Sequence, residues 1–240
     1  MQINPETKTI GELALEVVNA IPVLERMNID YCCRGGRSIA EACRDAGVTF
    51  TELMSTLGEP RVSGDMAWQT RSLSELQRHI IDTHHVYTRQ AIETITLLAD
   101  KVANRHGANH PEVIDVHRLA FALANDVLPH MMKEEEILFP YVEQLERNGS
   151  ESLPGSCFGT IANPIRVMML EHEGVGAILA DLRRVTGGYA LPDDACLSFR
   201  ALYERLADLE QDLHKHIHLE NNLHFPRALK LEESLAEVVR

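Results

Sequence analysis

A histidine and a glutamate four residues apart occur twice in this chain, in the same local context. The first pair is His130 and Glu134 and the second is His216 and Glu220, and Phe-Pro follows each glutamate at the same interval. Positions i and i+4 of a helix lie on one face, roughly 6 Å apart along the axis. Each pair therefore presents an imidazole beside a carboxylate, a combination that suits transition-metal ions. One such pair is weak evidence, but its repetition predicts a metal site.

Three segments carry apolar stripes with steps of three and four residues, and each stripe includes a histidine. The stripes are Leu119, Leu123, Val127, His130, Glu134, Ile137 and Tyr141; Ile161, Ile165, Met168, His172, Val175, Leu179 and Leu182; and Leu202, Leu206, Leu209, Leu213, His216, Glu220 and Leu223. A carboxylate in an apolar core is strongly unfavourable unless it is paired or bound to a metal. No lysine or arginine shares these stripes near the glutamates, so a metal ion is their expected partner.

A fourth segment should supply the remaining ligand, and it offers His79, His84 and His85. The interval from His172 to His216 is 44 residues, and His85 precedes His130 by 45 residues. Equivalence of two helical hairpins therefore favours His85. The apolar stripe of this segment passes closer to His84, which stays the alternative. The stripe consists of Leu73, Leu76, Ile80, Tyr87, Ala91 and Ile95.

The resulting set of four imidazoles and two carboxylates is too large for one tetrahedral zinc ion. It divides into two half-sites, each with two histidines and access to the carboxylates, which is similar to the two-histidine, one-carboxylate preference of non-haem iron. Two metal ions bridged by the glutamates would also be consistent, because a bridging carboxylate offsets the repulsion between adjacent cations. The set is His85, His130, Glu134, His172, His216 and Glu220.

The four segments predict an all-α fold, an antiparallel four-helix bundle preceded by a small helical N-terminal domain. We expect the small domain at 1–60, a linker at 61–71, the bundle at 72–230 and a tail at 231–240. The bundle helices are predicted at about 72–104, 112–144, 164–185 and 192–225, with one or two further turns and then disorder. Capping boxes predict three helix starts, from Ser38 with Glu41, Thr49 with Glu52, and Ser72 with Glu75.

The composition of the chain limits which partners and which cellular location are expected for the protein. The 240 residues carry a net charge of −13 and no basic stripe, which argues against a nucleic-acid partner. No apolar run approaches the ~20 residues of a membrane span, and the first residues lack the pattern of a signal peptide. The five cysteines are odd in number and do not favour a disulfide framework. A cytoplasmic location is therefore expected.

With these motifs the chain resembles the iron–sulfur cluster repair di-iron proteins, the RIC or YtfE/ScdA family, which have a hemerythrin-like bundle. The matching stretches are His130-Met-Met-Lys-Glu-Glu-Glu-Ile-Leu-Phe-Pro, Glu171-His172-Glu173, His216-x-x-x-Glu-Asn-Asn-x-x-Phe-Pro and, near the N-terminus, Asp30-Tyr-Cys-Cys-Arg-Gly-Gly. The resemblance covers almost the whole chain. It implies that the six residues above bind two non-haem irons, with the two glutamates and an oxo group as bridges.

The resemblance also implies a function in repairing iron–sulfur clusters damaged by oxidative and nitrosative stress. Iron donation and nitric oxide chemistry, including a nitric oxide reductase-like activity, are both consistent with it. The expected partners are damaged iron–sulfur proteins or a cluster-assembly scaffold, with nitric oxide or oxygen as small ligands and a homodimer as an option. The alternatives are a hemerythrin-like oxygen or nitric oxide sensor and a structural bundle that binds zinc.

Structural or functional roles are also predicted for several residues outside this set. Cys32 and Cys33 could be structural thiols, or redox or partner-binding thiols whose pKa is lowered by Arg34 and Arg37. Gly176 stands where oxygen-carrying hemerythrins have a further histidine, which implies an open metal position. Pro129 is expected to bend its helix locally. Cys43, Cys157 and Cys196 are interpreted as structural, His214, His218 and His224 as solvent-facing, and Glu135 and Glu136 as a solvated face.

Overall fold

The computed structural model describes residues 3–58, 67–148 and 158–238. Within these ranges the chain is helical and forms no strand, and only an isolated bridge pairs Thr9 with Ser38. The all-α prediction is confirmed. Cys157 and most of the predicted linker lie outside the described residues. None of the described helices is both long enough and apolar enough to cross a membrane.

Residues 3–58, here called the front unit, contain four short helices. They are α1 (Ile10–Glu16), α2 (Ala20–Arg26), α3 (Ile39–Asp45) and α4 (Phe50–Leu57). Predicted capping boxes begin α3 and α4, and a third box, of Thr9 and Glu12, begins α1. Each box satisfies backbone N–H groups that a helix start leaves without partners. Sequence patterns of this kind therefore locate even short helices.

A four-residue helix, α5 (Ala67–Thr70), precedes the bundle. The first bundle helix consists of α6 (Leu73–His79), a π-helical segment (Ile80–His85) and α7 (Val86–His106). The second consists of α8 (Glu112–Lys133), a π-helical segment (Glu134–Leu138) and α9 (Phe139–Asn148). The third is α10 (Ala162–Val185). The fourth consists of α11 (Leu197–Leu219), a π-helical segment (Glu220–His224) and α12 (Phe225–Val238).

The π-helical segments change which residues face the core. A π turn accommodates an additional residue, so the buried face moves by about one position beyond it. The prediction that Ile137 faces the core was wrong for this reason: Ile137 is 47% exposed, whereas Leu138 is buried. Capping by Ser72 and Glu75 begins α6 as predicted. Each π-helical segment contains at least one residue of the predicted metal set, so the register changes at the site itself.

Other boundaries differ from expectation at the ends of the fourth helix. It begins at Leu197, with Cys196 as N-cap, rather than near Pro192. Its last segment continues to Val238, so 231–238 is helical and not a disordered tail. Pro129 lies inside α8, which continues to Lys133.

The buried apolar residues of the bundle form two clusters, one after the other along its length. One contains the front unit together with bundle residues such as Val127, Val175 and Leu213. The other contains residues nearer the opposite end, such as Ile80, Met168 and Leu223. On every bundle helix the predicted metal-set residues lie where the chain passes from one cluster to the other. Apolar packing on both sides therefore separates that layer of the bundle from water.

Glu146 of α9 connects the second bundle helix to the start of the first. Its carboxylate accepts hydrogen bonds from the backbone N–H groups of Leu73 and Ser74, at 2.7 and 3.0 Å, and from the Ser74 hydroxyl. Burial favours a higher pKa for Glu146, but these donors outweigh it and lower the pKa below its usual value.

Replacement of Glu146 by alanine is expected to lower the free energy of unfolding by about 1 kcal/mol near neutral pH. A lowered pKa gives stability that is present above the unfolded-state pKa and is lost as the pH falls through the folded-state pKa. The difference between wild type and variant should therefore shrink below about pH 4. Chemical denaturation across this pH range measures it. Glu143→Ala, on the same helix but exposed and paired with Arg147, is the control. An unchanged difference at low pH would contradict the interpretation.

Candidate metal centre

All six predicted residues converge in the layer between the two apolar clusters, and each is at most 2% exposed. Their potential ligand atoms form two groups that share both glutamates. The first group is His85, Glu134, His216 and Glu220, and the second is His130, Glu134, His172 and Glu220. The structure thus brings together residues from all four bundle helices, in the two half-sites that the sequence predicted.

In each half-site two imidazoles face one another through their Nε2 atoms. The distance is 3.1 Å between His85 and His216 and 3.0 Å between His130 and His172. These four atoms point into the shared centre, as metal-binding nitrogens would.

Each glutamate reaches both half-sites with different oxygens. Glu134 Oε2 lies 3.4 Å from His85 Nε2, and Glu134 Oε1 lies 3.3 Å from His130 Nε2. Glu220 Oε1 lies 3.0 Å from His216 Nε2, and Glu220 Oε2 lies 3.2 Å from His172 Nε2. This is the arrangement that a pair of bridging carboxylates requires.

Three of the imidazoles donate a hydrogen bond from Nδ1, the ring nitrogen on the side away from the centre. His85 Nδ1–H donates to Glu135 at 2.6 Å, His130 Nδ1–H donates to Glu171 at 2.8 Å, and His172 Nδ1–H donates to the Asn221 side-chain oxygen at 2.9 Å. A proton on Nδ1 leaves a lone pair on Nε2, the form in which imidazole binds a metal. Lone pairs only 3.0 Å apart repel one another unless the two nitrogens share a proton or bind a metal ion.

The electrostatics of the two carboxylates are also consistent with a cation site. Burial and repulsion from Glu220 favour a raised pKa at Glu134, but His130 and His85 outweigh them and lower the pKa to about 2. The pKa of Glu220 is likewise lowered, chiefly by His216 and His172 against the effect of burial. Both oxygens of Glu134 and Oε2 of Glu220 are buried without a hydrogen bond of standard geometry. The residues present therefore fit a metal centre, in which a cation would neutralise the two buried carboxylates in place of charged imidazoles.

The structure separates His85 from His84. His85 lies in the centre, whereas His84 Nδ1 contacts Asp212 at 3.0 Å and its ring stacks on that of His216 at 5.7 Å. Helical periodicity pointed to His84 because it assumed 3.6 residues per turn, and the π-helical segment that ends at His85 breaks that assumption.

Several predicted surface residues are instead buried. The solvent-facing interpretation was wrong for His218 and His224, which are 2% and 0% exposed. His224 contacts Gln77 at 2.9 Å, and His218 lies against the Tyr31 carbonyl. His214 is partly buried and donates to Glu25 at 2.7 Å. The register change at Glu220 and contact with the front unit account for these differences.

The residues behind the imidazoles were missed by sequence reasoning. Glu135 is not simply part of a solvated face, since it holds His85 and also binds Arg89 at 2.8 Å. Glu171 binds Lys133 as well as His130. A usable signal existed, because Glu135, Glu171 and Asn221 each directly adjoin a predicted ligand in sequence. Each nevertheless supports a histidine on a different helix, which only the fold reveals.

The loop with the two cysteines packs against the third bundle helix beside the centre. Cys33 Sγ lies 3.5 Å from the His172 carbonyl oxygen, and Asn221 Nδ2 donates to the Cys32 carbonyl at 3.3 Å. The expected lowering of the thiol pKa was wrong for Cys32, because the neighbouring Cys33 thiol and burial raise it. Arg37 pairs with Asp45 and Asp30 instead.

The other described cysteines differ from one another. Cys43 is buried in the front unit, as expected of a structural thiol. Cys196 is exposed, lies 3.2 Å from His106 Nε2 and is the N-cap of α11, and its structural interpretation stays a prediction. All four described cysteines are free.

Gly176 is explained by the approach of Cys33. A Cβ atom at position 176 would lie 3.2 Å from Cys33 Sγ, closer than ordinary van der Waals contact, whereas a Cβ at Gly174 meets nothing within 4 Å. The position that a histidine occupies in oxygen carriers is therefore adjacent to a thiol of the front unit.

Alanine substitution at the two glycines should separate helix propensity from this contact. Gly174→Ala is expected to raise the free energy of unfolding by up to about 1 kcal/mol, because alanine is the better helix former. Gly176→Ala should gain less, because Cys33 must shift, and Cys33 should react faster with a thiol reagent. Denaturation and thiol-labelling rates check both. Equal stability gains with unchanged labelling would show that the contact is unimportant.

The comparisons with known proteins agree with this geometry. The profile of the hemerythrin HHE cation binding domain matches residues 77–228, which include all six residues of the centre. The ScdA_N profile, described as a domain of unknown function (DUF542), matches residues 6–61. The fold and the buried histidine–glutamate site thus define a hemerythrin HHE bundle that is preceded by a smaller N-terminal unit.

Comparison with individual relatives gives a more specific family assignment than the two domain profiles. The chain is 33% identical over 232 residues to the iron-sulfur cluster repair protein YtfE of Pectobacterium carotovorum subsp. carotovorum (strain PC1), covering 94% of this chain and 98% of the relative. It is 35% identical over 225 residues to the protein of the same name from Escherichia coli O81 (strain ED1a), covering 92% and 96%. The chain belongs to the YtfE family of iron-sulfur cluster repair proteins.

Proposed function

We propose that the six buried residues bind two iron ions and that the protein repairs damaged iron–sulfur clusters by donating iron. The observation that carries this proposal is the placement of the glutamates, each of which directs one oxygen to each half-site. Two histidines and shared carboxylates per half-site suit ferrous or ferric iron. When bound, the irons supply redox-active, exchangeable metal, which a damaged cluster lacks.

The residues around the centre have two tasks in this proposal. Glu135, Glu171 and Asn221 keep three imidazoles in the metal-binding tautomer and orientation. The apolar clusters on either side keep bulk water away from the centre. The partners are iron–sulfur proteins that have lost cluster iron under oxidative or nitrosative stress, and the free thiols are consistent with action in the cytoplasm.

The names of the relatives do not favour the alternative of an oxygen or nitric oxide sensor, since they describe cluster repair. Nitric oxide chemistry at the same centre is the second candidate mechanism. The two mechanisms differ in the source of the iron in the repaired cluster, which makes them separable.

The test mixes the protein, loaded with isotopically labelled iron, with an iron–sulfur enzyme damaged by nitric oxide. Wild type should restore enzyme activity and transfer the label into the repaired cluster. The variant with Glu134→Leu and Glu220→Leu should do neither. A matched variant with Glu136→Leu and Glu204→Leu, which changes two exposed glutamates of the same bundle helices, should behave as wild type.

Two outcomes would count against the proposal. Equal recovery with wild type and the centre variant would mean that the centre does not perform the repair. Recovery of enzyme activity without transfer of the label, accompanied by consumption of nitric oxide, would show that repair proceeds by nitric oxide chemistry and not by iron donation.

A further inference from the structure

A second set of potential ligands lies outside the centre, at the surface of the front unit that faces the third bundle helix. Asp30, Cys32 and Cys33 each offer one atom, and these atoms all lie within 4.8 Å of one another. The two sulfur atoms are 3.8 Å apart, and Cys32 Sγ lies 3.5 Å from Asp30 Oδ1. No residue of this set belongs to the bundle centre.

The spacing of these atoms matches that of ligands around one metal ion. With metal–sulfur bonds of ~2.3 Å and metal–oxygen bonds of ~2.1 Å, a tetrahedral ion separates two sulfurs by about 3.8 Å and a sulfur from an oxygen by about 3.6 Å. The observed distances agree with both values. Thiolate and carboxylate ligands together suit borderline transition-metal ions such as Fe²⁺ or Zn²⁺.

The loop that carries the set is held in place by a network of hydrogen bonds. Asp30 Oδ1 accepts from the backbone N–H groups of Cys32 and Cys33, at 3.1 and 3.0 Å. Asn222 Nδ2 lies 3.2 Å from the Tyr31 carbonyl and 3.3 Å from the Cys32 carbonyl. The second oxygen of Asp30 lies 3.9 Å from an Arg37 nitrogen, and a carboxylate has further lone pairs with which it can bind a cation.

The position of the set is between the centre and a cavity. Cys33 Sγ lies 3.5 Å from the backbone carbonyl of His172, a residue of the second half-site. On the other side, Asp30, Cys32 and Cys33 line a cavity of about 770 Å³, whose walls also include Arg34, Glu173 and Arg183. A metal ion held here would be close to the centre and accessible from the cavity.

We infer that Asp30, Cys32 and Cys33 form a second cation site, which holds Fe²⁺ as cargo in transit between the buried centre and the cavity. This inference rests on the proposed iron donation and extends it. Binding releases the thiol protons to solvent as the metal–sulfur bonds form, and the iron stays ferrous, so no oxidant or reductant is needed. Three protein ligands leave a coordination position for a group of the acceptor.

Cobalt(II) is the probe that reports the proposed site directly. The full-length protein, with its bundle centre already loaded with iron, is titrated with Co²⁺ under anaerobic conditions. We expect one further equivalent to bind and to produce sulfur-to-cobalt charge-transfer absorption. The absorption should be absent from the Cys32→Ser and Cys33→Ser double variant and retained in Cys196→Ser, whose thiol is remote and exposed. Absence of the absorption in wild type, or its survival in the double variant, would overturn the inference.

Asp30→Asn tests the third ligand while preserving the loop, because an amide oxygen can still accept the backbone N–H groups. It should weaken Co²⁺ binding by roughly 10- to 100-fold, the effect seen when one supporting group of a metal site is lost. Unchanged affinity for Co²⁺ would show that Asp30 is not a ligand of this site. Circular dichroism checks that each variant is folded.

The role in transit is tested by iron transfer to a chelator. Release from the loaded double cysteine variant should be slower than from wild type, with the iron content of the centre unchanged before transfer. Equal release rates would refute the transit role and leave the proposed repair function intact. Failure of the repair function itself would appear separately, as loss of cluster recovery in wild type.

Discussion

Replacing Glu220 by leucine is expected to empty both halves of the centre and to make the metal-free protein less stable. Both half-sites lose metal because Glu220 directs one oxygen to each of them. Glu220 Oε1 lies 3.0 Å from His216 Nε2, and Glu220 Oε2 lies 3.2 Å from His172 Nε2. Bound iron should fall from two ions per chain to nearly none. Without metal, leucine removes a buried carboxylate whose charged form is stabilised by His216 and His172, and removal of one partner of a buried pair destabilises a protein by up to about 3–5 kcal/mol.

Metal analysis measures the loss of iron, and denaturation of the metal-free variant measures the loss of stability. Glu210→Leu is the matched control, because Glu210 is also buried on α11 but is paired with Arg183 at 3.0 Å. That substitution should lower stability, since it leaves Arg183 without this partner, and should leave the iron content unchanged. Retention of both irons by Glu220→Leu would show that the carboxylate does not bridge.

Loss of His85 is expected to affect one half-site, and loss of its neighbour His84 to affect neither. His85→Ala removes an imidazole that faces His216 at 3.1 Å, so about one iron per chain should be lost. His84→Ala removes only a ring stacked on His216 and a contact with Asp212. Iron analysis of both variants, with circular dichroism to confirm folding, checks the prediction. Loss of iron from the His84 variant alone would reverse the assignment.

The sequence was sufficient to predict the helical fold because its signals are local. Apolar stripes located the four bundle helices, and capping boxes located the starts of α3, α4 and α6. The repeated His–Glu pairs also predicted that polar groups from different helices would meet in the core. Buried carboxylates in an apolar stripe are informative because they are so unfavourable without a partner.

The errors follow from features that periodicity cannot represent. The π-helical segments rotate the buried face by one residue, which explains the exposed Ile137 and the buried His224. Docking of the front unit depends on contacts between residues far apart in sequence, such as Cys33 with the His172 carbonyl. Support of His85 by Glu135 likewise depends on how two helices are aligned.

Metal analysis combined with Mössbauer and optical spectroscopy of the wild-type protein, expressed with iron and purified without chelators, tests the central claim most directly. The proposed function predicts two irons per chain in one exchange-coupled, carboxylate-bridged centre, with the oxo-bridge charge-transfer absorption that the family resemblance implies. Stoichiometric zinc after expression with iron, or irons that show no magnetic coupling, would contradict a shared centre built from Glu134 and Glu220.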